Sequence, residues 1–199
     1  MEEHSKSSNN GKKIKFKTNS IVGSKKENTQ WIIFIIFLTF FLSATISVIS
    51  STLLENVGII ISFLILLIII IIGIVFDIIG IAITTAEEAP FHSMASRKLY
   101  GAKQAIKLIR NANKASTICN DVIGDICGVI SGAASSYIII TISKTANLTT
   151  STIVGFSLTG LVAAATIGGK AIGKTFALKY NNYITYKVGI ALNFVSKKK

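Results

Sequence analysis

Residues 59–76 read IIISFLILLIIIIIGIVF and carry no charge; Asp77 follows directly, and the uncharged sequence then continues to Ala86. The hydrocarbon core of a bilayer is crossed by about 20 apolar helical residues, so this stretch is long enough to span a membrane. A carboxylate inside such a span costs about 2.5 kcal/mol or more and normally faces a protein interior or a water-filled site. The stretch predicts an integral membrane protein with an ionisable group inside a span.

The composition of the whole chain favours a membrane protein over a soluble one. Half of its 199 residues are hydrophobic, it contains one proline, and its mean hydropathy is +0.61. A net charge of +12 could indicate nucleic-acid binding, but the chain has no recognisable nucleic-acid-binding motif, and its basic residues border the apolar stretches. Anionic lipid head groups are the simpler partner, and no nucleic-acid partner is expected.

Four apolar stretches are predicted to cross the membrane, and together they define an all-α, multi-pass helical bundle. A polar, lysine-rich segment, residues 1–30, precedes them and is predicted to be a disordered tail. The second span is longer than a bilayer requires, so it is expected to tilt or break near Gly73, Asp77 and Gly80. The predicted spans are residues 31–50, 57–83, 117–142 and 150–169.

Two basic segments outside these spans are expected to be amphipathic helices that lie on the membrane surface. Residues 87–115 begin with two glutamates and Pro90, which suits the first turn of a helix, and then interleave basic with apolar residues. An ordinary solvated helix is the alternative. Residues 170–199 combine lysines with aromatic and aliphatic residues, contain no acidic residue, and are interpreted as a second surface helix.

The distribution of positive charge predicts the orientation. With four spans, residues 1–30, 87–115 and 170–199 fall on one side of the membrane. These segments contain every one of the 21 lysines and arginines except Lys144. Because positive charge is retained in the cytoplasm, both termini are expected to be cytoplasmic, in a cell inner (plasma) membrane.

Carboxylates inside the predicted spans suggest a cation site. Asp121 and Asp125 are four residues apart and are expected on one helix face. Carboxylate, hydroxyl and amide oxygens are the ligands that Mg²⁺ and Ca²⁺ prefer. No catalytic constellation is recognisable, so an enzyme is not expected. The predicted metal ligands are Asp77, Thr84, Asn120, Asp121 and Asp125.

Two lysines at about the same depth in the membrane as these carboxylates leave the interpretation as a cation site open. Lys170 and Lys174 are four residues apart at the end of the fourth span. They could serve as counter-ions of the cation site. Alternatively, the lysines and aspartates only neutralise one another, as an ion-paired plug.

Glycines in the third and fourth spans predict close helix packing. Gly124, Gly128 and Gly132 repeat every four residues, the small-residue pattern that lets membrane helices approach closely. Together with the two aspartates of the third span they are predicted to form a stripe that packs against another helix. A second close-packing surface is predicted at the end of the fourth span, at Gly168, Gly169 and Gly173.

Four short segments occur in an order found in a known family of ion transporters. They are VFDIIGIAITT (75–85), GAKQAIKLI (101–109), STICNDVIGD (116–125) and GKAIGKT (169–175). Their order resembles that in the transmembrane domain of the cyclin M and CorB/CorC magnesium exporters. In that family the first, third and fourth correspond to F-S-G-x-E-T-A-L-x-S, S-T-x-x-x-x-N-N-x-x-N and G-E-x-x-P-K-T. The resemblance covers residues 70–199.

The resemblance implies a homodimer with three spans and a helical belt at the cytoplasmic surface. Residues 57–199 would form this exporter-like domain, with residues 31–56 as an additional span and turn and no cytoplasmic nucleotide-sensing domain. The site departs from the family: Asp77 replaces a serine, Lys170 a glutamate and Gly173 a proline. The asparagine positions fall either on Asn120 and Gly124 or one residue later.

Two functions follow from this resemblance. The first is divalent-cation transport, with Mg²⁺ as the possible transported ion and Lys170 as a counter-ion that the metal displaces. The alternative is a non-transporting membrane scaffold or regulator in which Lys170 plugs the former ion site. A membrane-active toxin or immunity-type protein is a third class for a short basic chain with four spans.

Overall fold

The computed structural model describes residues 25–55, 57–144 and 148–197, which are helical apart from short turns. This confirms the predicted all-α class. One segment of π-helix lies in the third span; we call it the π segment. The elements are α1 (Lys25–Glu55), α2 (Ile59–Thr85), α3 (Glu88–Ser96), α4 (Ala102–Arg110), α5 (Ala112–Ser116), the π segment (Thr117–Gly124), α6 (Asp125–Ser143), α7 (Leu148–Lys179) and α8 (Asn181–Lys197).

Four helical stretches are long and apolar enough to cross a membrane, and they correspond to the four predicted spans. Their length and hydropathy indicate a multi-pass membrane protein. Large apolar side chains point outward along them, as Phe40, Ile60 and Phe156 do, each more than half exposed. The four stretches are Thr29–Ser50, Ile59–Thr85, Ala112–Ser143 and Ser151–Lys179.

Helix α2 lies at the centre of the bundle. It packs against α7, α6, the π segment and the shorter helices α5 and α8, whereas α1 packs against α6. One buried cluster joins α2, α6 and α7, and a second joins the third span to α1 and α2. The first contains Leu66, Ile70, Ala134, Ile138 and Leu158; the second contains Val122, Ile126 and Ile130, with Ile35, Ile46 and Ile69 packed on it.

Of the predicted tilt or break in the second span, the break does not occur, because α2 is one uninterrupted helix from Ile59 to Thr85. In hydrocarbon every backbone polar group must be bonded internally, which favours a continuous helix. Gly73 and Gly80 instead allow close approach. A Cβ on Gly73 would lie 3.1 Å from the Cβ of Cys127, and one on Gly80 would overlap the side chain of Asn120.

Two helices extend beyond their predicted ends. Helix α1 begins at Lys25, so residues 25–30 are helical rather than disordered; residues 1–24 lie outside the described part. Helix α7 continues to Lys179, and the surface helix at the carboxyl end therefore begins at Asn181 rather than at residue 170. Lysine and glutamate are good helix formers and no proline is present in either region, so nothing ends these helices earlier.

Residues 87–115 form three short helices rather than one. Helix α3 ends in a Schellman motif, in which the N–H of Leu99 donates to the carbonyl of Met94 and that of Lys98 to Ala95. Lys98 has a φ of 57° and Gly101 a φ of 85°, so the chain turns sharply before α4. Helix α4 is amphipathic as predicted, since Ala102 and Ala105 are buried while its lysines are exposed.

Candidate functional site

The π segment brings the third span against α2 and α7 at one junction. A π-helix closes its hydrogen bonds over five residues instead of four, so it changes which side chains face the neighbouring helices, and such segments are frequent at functional sites. Here Asn120 and Gly124 face the junction, while Asp121 and Asp125 are exposed. The junction thus contains Asn120 and Gly124 and not the two aspartates that follow them.

Asn120 presents an unsatisfied oxygen at this junction. Its side-chain nitrogen donates to the hydroxyl of Ser116 at 3.3 Å, whereas its Oδ1 is buried and has no hydrogen-bond partner. The amide lies directly against Gly80 of α2. Asp77 precedes Gly80 by three residues, which places it on the same side of α2, and it is half-buried. An amide oxygen and a carboxylate are thus held by adjoining faces of two spans.

Lys170 of α7 lies on the other side of the π segment. Its Nζ is 3.7 Å from the position that a Cβ on Gly124 would occupy. It lines a small cleft between three spans together with Gly73, Gly124, Ser131 and Thr166, and the cleft has room for about one water molecule. A Cβ at Gly124 would therefore be in ordinary van der Waals contact with the lysine ammonium.

The remaining predicted ligands and counter-ions are not gathered at this junction. Thr84 is exposed, and its hydroxyl donates to the carbonyl of Ile81 at 2.8 Å. Lys174 is exposed one turn beyond Lys170. Across residues 25–55, 57–144 and 148–197, no three His, Cys, Asp or Glu side chains come together as a metal site.

Ion pairing within the described part involves Glu88 and not the aspartates of the spans. Lys170 and Lys174 therefore form no ion pair there, which differs from the ion-paired plug considered above. The half-buried ammonium of Lys170 instead lies among glycines and hydroxyl-bearing side chains. No carboxylate of the described residues lies within ion-pair distance of it.

The predicted glycine stripe packs within the chain at Gly124, which is buried. Gly128 and Gly132 are exposed, and no described atom lies within 4 Å of where their Cβ atoms would be. Together with Asp121 and Asp125 they form one exposed face of the third span. We call these four residues the Asp–Gly face.

Of the three glycines predicted to pack closely at the end of the fourth span, Gly169 and Gly173 make such contacts and Gly168 does not, since no described atom lies within 4 Å of its Cβ position. A Cβ on Gly173, which is buried, would lie 2.8 Å from the Cγ1 of Ile78, and Gly169 lies against Ile74. These contacts hold α7 against α2 at the level of Asp77. They explain how Lys170 comes to lie beside the π segment.

Asn181 and Asn182 are structural residues that the sequence reasoning missed. The side-chain N–H of Asn181 donates to the carbonyl of Thr85 at 2.6 Å, and Asn182 Oδ1 accepts from the backbone N–H of Glu87 at 3.0 Å. The start of α8 is thereby bonded to the end of α2 and the beginning of α3. Two consecutive asparagines between helical patterns are a cap and turn signal that could have indicated this role.

A second polar contact connects α3 with α4 outside the membrane-spanning stretches. Glu88 Oε1 accepts a hydrogen bond from Arg110 Nε at 2.7 Å and lies 2.9 Å from His92 Nε2. The hydrogen bond from Arg110, followed by that from His92, lowers the pKa of the Glu88 carboxyl below its usual 4.5. The cationic donor favours the charged form of the carboxyl.

The fold and this junction place the chain in the class of multi-pass α-helical membrane proteins. Comparisons with protein-family models, with curated proteins and with solved structures each found no match.

Proposed function

We propose that this protein transports divalent cations, with Mg²⁺ as the favoured ion, through the junction of α2, the π segment and α7. The observation that carries the proposal is the buried, unpartnered Oδ1 of Asn120 against Gly80, on the side of α2 that also carries the half-buried Asp77. A buried acceptor without a partner costs about 1–3 kcal/mol, and a hard cation would satisfy it. The resemblance to the magnesium exporters between residues 70 and 199 supports the same ion.

In this proposal Lys170 is an internal counter-ion. Its ammonium occupies the cleft beside Gly124 while no metal is bound, and an arriving divalent cation displaces it. Asp77 is the principal ligand, with Asn120 as its neighbour. The long side chain of a lysine can move its charge by several ångströms while its stem remains packed, which suits a group that alternates between two positions.

In this proposal Asp121 enters the site through a change of register, while Asp125, the first residue of α6, stays on the Asp–Gly face. If the π segment rewinds into α-helix, the preceding residues rotate relative to α6, and Asp121 turns from the exposed face toward α2. The same segment then offers Asn120 and Gly124 in one state and a carboxylate in the other. Alternating access requires two states with different affinities for the ion, and this rotation provides them.

The second candidate function is a non-transporting scaffold or regulator in which Lys170 permanently fills the cleft. It is favoured by the position of the Lys170 ammonium beside Gly124. In this case the lysine replaces the metal as the cation of the junction. The ion-paired form of this plug would additionally require an aspartate to reach Lys170.

Thermal unfolding in detergent with and without Mg²⁺ distinguishes the two functions. A ligand bound only by the folded state, at a concentration of about 100 times its Kd, adds about 2.7 kcal/mol of stability. For transport we expect Mg²⁺ to stabilise the wild type, and to stabilise Lys170→Glu more strongly. Asn120→Ala should reduce the effect.

Lys174→Met is the matched control, because it removes an exposed lysine one turn away and should leave the Mg²⁺ effect unchanged. Absence of a Mg²⁺-dependent shift in both the wild type and Lys170→Glu would contradict transport. In the scaffold function Lys170→Met would instead lower stability at all Mg²⁺ concentrations.

We also propose that the protein is a homodimer through the Asp–Gly face. Two carboxylates on a spanning helix are costly if they face lipid, and glycines at this spacing let a second helix approach closely. Gly132→Leu is expected to abolish crosslinking between copies in membranes, because Gly132 is exposed on this face and does not line the cleft of Lys170. Gly160→Leu, at an exposed glycine of α7 with no described atom near its Cβ position, should not. Normal crosslinking of Gly132→Leu would refute this interface.

A further inference from the structure

The loop between α3 and α4 exposes two large apolar residues next to three cations. Leu99 and Tyr100 are 45% and 44% exposed, and Arg97, Lys98 and Lys103 around them are exposed as well. We propose that this loop is an anionic-lipid anchor: Leu99 and Tyr100 insert into the membrane interface while the three cations bind lipid phosphate groups. We call residues 97–103 the anchor loop.

The local conformation of the anchor loop turns its apolar residues outward. In a Schellman motif the residue at the position of Leu99 commonly packs back onto its helix, yet here it is almost half exposed. The left-handed position before it is normally glycine, and in this chain it is Lys98 with a φ of 57°. The turn therefore presents a lysine and an apolar pair where a glycine and a buried contact would be more stable.

The anchor loop is held rigidly by its neighbours. A Cβ on Gly101 would lie 2.7 Å from the Cγ1 of Ile190, and one on Gly189 would lie 2.8 Å from the carbonyl oxygen of Gly101. Backbone contacts thus join the start of α4 to α8. At the other end, Asn182 accepts a hydrogen bond from Glu87 just before α3. Little conformational entropy remains to be lost when the loop binds a surface, which favours binding.

The position of the anchor loop in the chain indicates lipid rather than a soluble polyanion. Helix α3 starts three residues after the end of one membrane-spanning stretch, and nine residues of helix extend only about 13.5 Å. The loop is therefore close to the membrane surface. A soluble polyanion would need the cations alone, whereas adjacent leucine and tyrosine side chains suit the apolar edge of a leaflet.

Other exposed residues of the same region have the same chemistry. Lys179 lies 5.3 Å from the ring centre of Tyr180, and Lys187 lies 5.4 Å from that of Tyr183. Both tyrosines are exposed. Tyrosine and lysine side chains are enriched at membrane interfaces, where the ring lies at head-group level and the charge reaches the phosphates. The end of α7 and the start of α8 thus resemble the anchor loop in composition.

Fluorescence quenching by brominated lipids tests the proposal. The protein with Trp31→Phe and Tyr100→Trp has a single tryptophan, located in the anchor loop, and is reconstituted into vesicles of phosphatidylcholine and phosphatidylglycerol. At equal mole fractions we expect brominated phosphatidylglycerol to be enriched about fivefold over brominated phosphatidylcholine around this tryptophan, as one or more basic residues near an anionic surface would produce.

Charge variants and salt supply the controls. Lys98→Gln with Lys103→Gln should bring the two quenching values close together, whereas Lys144→Gln, at the end of α6, should not change them. High salt should reduce the preference for phosphatidylglycerol even when no lysine is substituted. Quenching by neither lipid would place the loop in water or against a protein and overturn the proposal. Equal quenching by both lipids in the single-tryptophan protein that keeps all its lysines and arginines would overturn the recognition of anionic head groups.

Discussion

Asn120, and not the neighbouring Asp121, is the residue that the structure places at the junction with α2. In an undistorted α-helix Asp121 and Asp125 would share one face, and they do so here, but that face is exposed. The π segment turns Asn120 and Gly124 toward α2 and α7 instead. The chemistry of the junction in this state is therefore that of an amide, a half-buried carboxylate and an ammonium.

The contact between Asn120 and Gly80 predicts a strong coupling in stability. Gly80→Ala places a methyl group where the Asn120 side chain lies, so the amide must move. In the Asn120→Ala background that space is free, and Gly80→Ala should cost little. We expect the two substitutions to deviate from additivity by about 0.5–3 kcal/mol, measured by thermal unfolding in detergent. Additive effects would show that the two side chains do not meet.

The pKa of Glu88 provides a prediction on pH. The pKa of Glu88 is lowered in the folded state, mainly by the hydrogen bond from Arg110. The contact therefore stabilises the fold at pH values above 4.5, and this stabilisation is lost as the pH falls through the lowered pKa. A carboxyl titration by NMR should give a midpoint below 4.5, and Arg110→Gln should move it upward. A midpoint of 4.5 or more in the wild type would be inconsistent with this hydrogen bond.

Among the helices, glycines determine how closely the surface helices approach each other. Gly189 of α8 lies against the backbone of Gly101 and Ala105, so the two helices are in contact at main-chain distance. Unlike the flexible end of a side chain, a backbone carbonyl cannot move aside without shifting its helix. The spacing between α4 and α8 thus depends on Gly189 and on Gly101, whose Cβ would meet Ile190.

Gly189→Ala is expected to destabilise the protein by about 1–3 kcal/mol, the usual cost of overpacking. Its Cβ would lie 2.8 Å from the carbonyl oxygen of Gly101 and 3.0 Å from the nitrogen of Ala105. Gly168→Ala is the control, because no described atom lies near that Cβ position, and alanine in a helix gains about 0.5–1 kcal/mol over glycine. Equal stability of the two variants in chemical unfolding would refute the close contact.

The spans could be predicted from the sequence because length and hydropathy alone decide whether a helix can cross a bilayer. The ends of the helices could not be predicted from the sequence, because a lysine-rich stretch such as residues 170–179 suits both a surface helix and the end of a span. The π segment could not be predicted either, because it depends on how Asn120 and Gly124 fit α2 and α7. The position of Asp77 in the second span follows from the sequence, whereas the exposure of Asp121 and Asp125 depends on how the third span packs.

For the molecule as a whole, positive charge is concentrated in three segments of the sequence, and this predicts its orientation. All lysines and arginines except Lys144 lie in residues 1–30, 87–115 and 170–199. We expect reporters fused before Met1 and after Lys199 to be cytoplasmic, and one inserted after residue 146 to be external. A cytoplasmic signal at residue 146 would contradict an arrangement with four spans.

Ion flux in proteoliposomes tests the proposed function most directly. Purified protein is reconstituted with a Mg²⁺-sensitive dye inside the vesicles, and Mg²⁺ is added outside. We expect dye-reported Mg²⁺ entry with the wild type and an unchanged rate of entry in Lys174→Met. In Asp77→Asn the rate should fall about tenfold or more, since losing one ligand interaction of about 1.4 kcal/mol changes a rate tenfold. Entry no faster than in protein-free vesicles, for both the wild type and Lys170→Glu, would contradict divalent-cation transport.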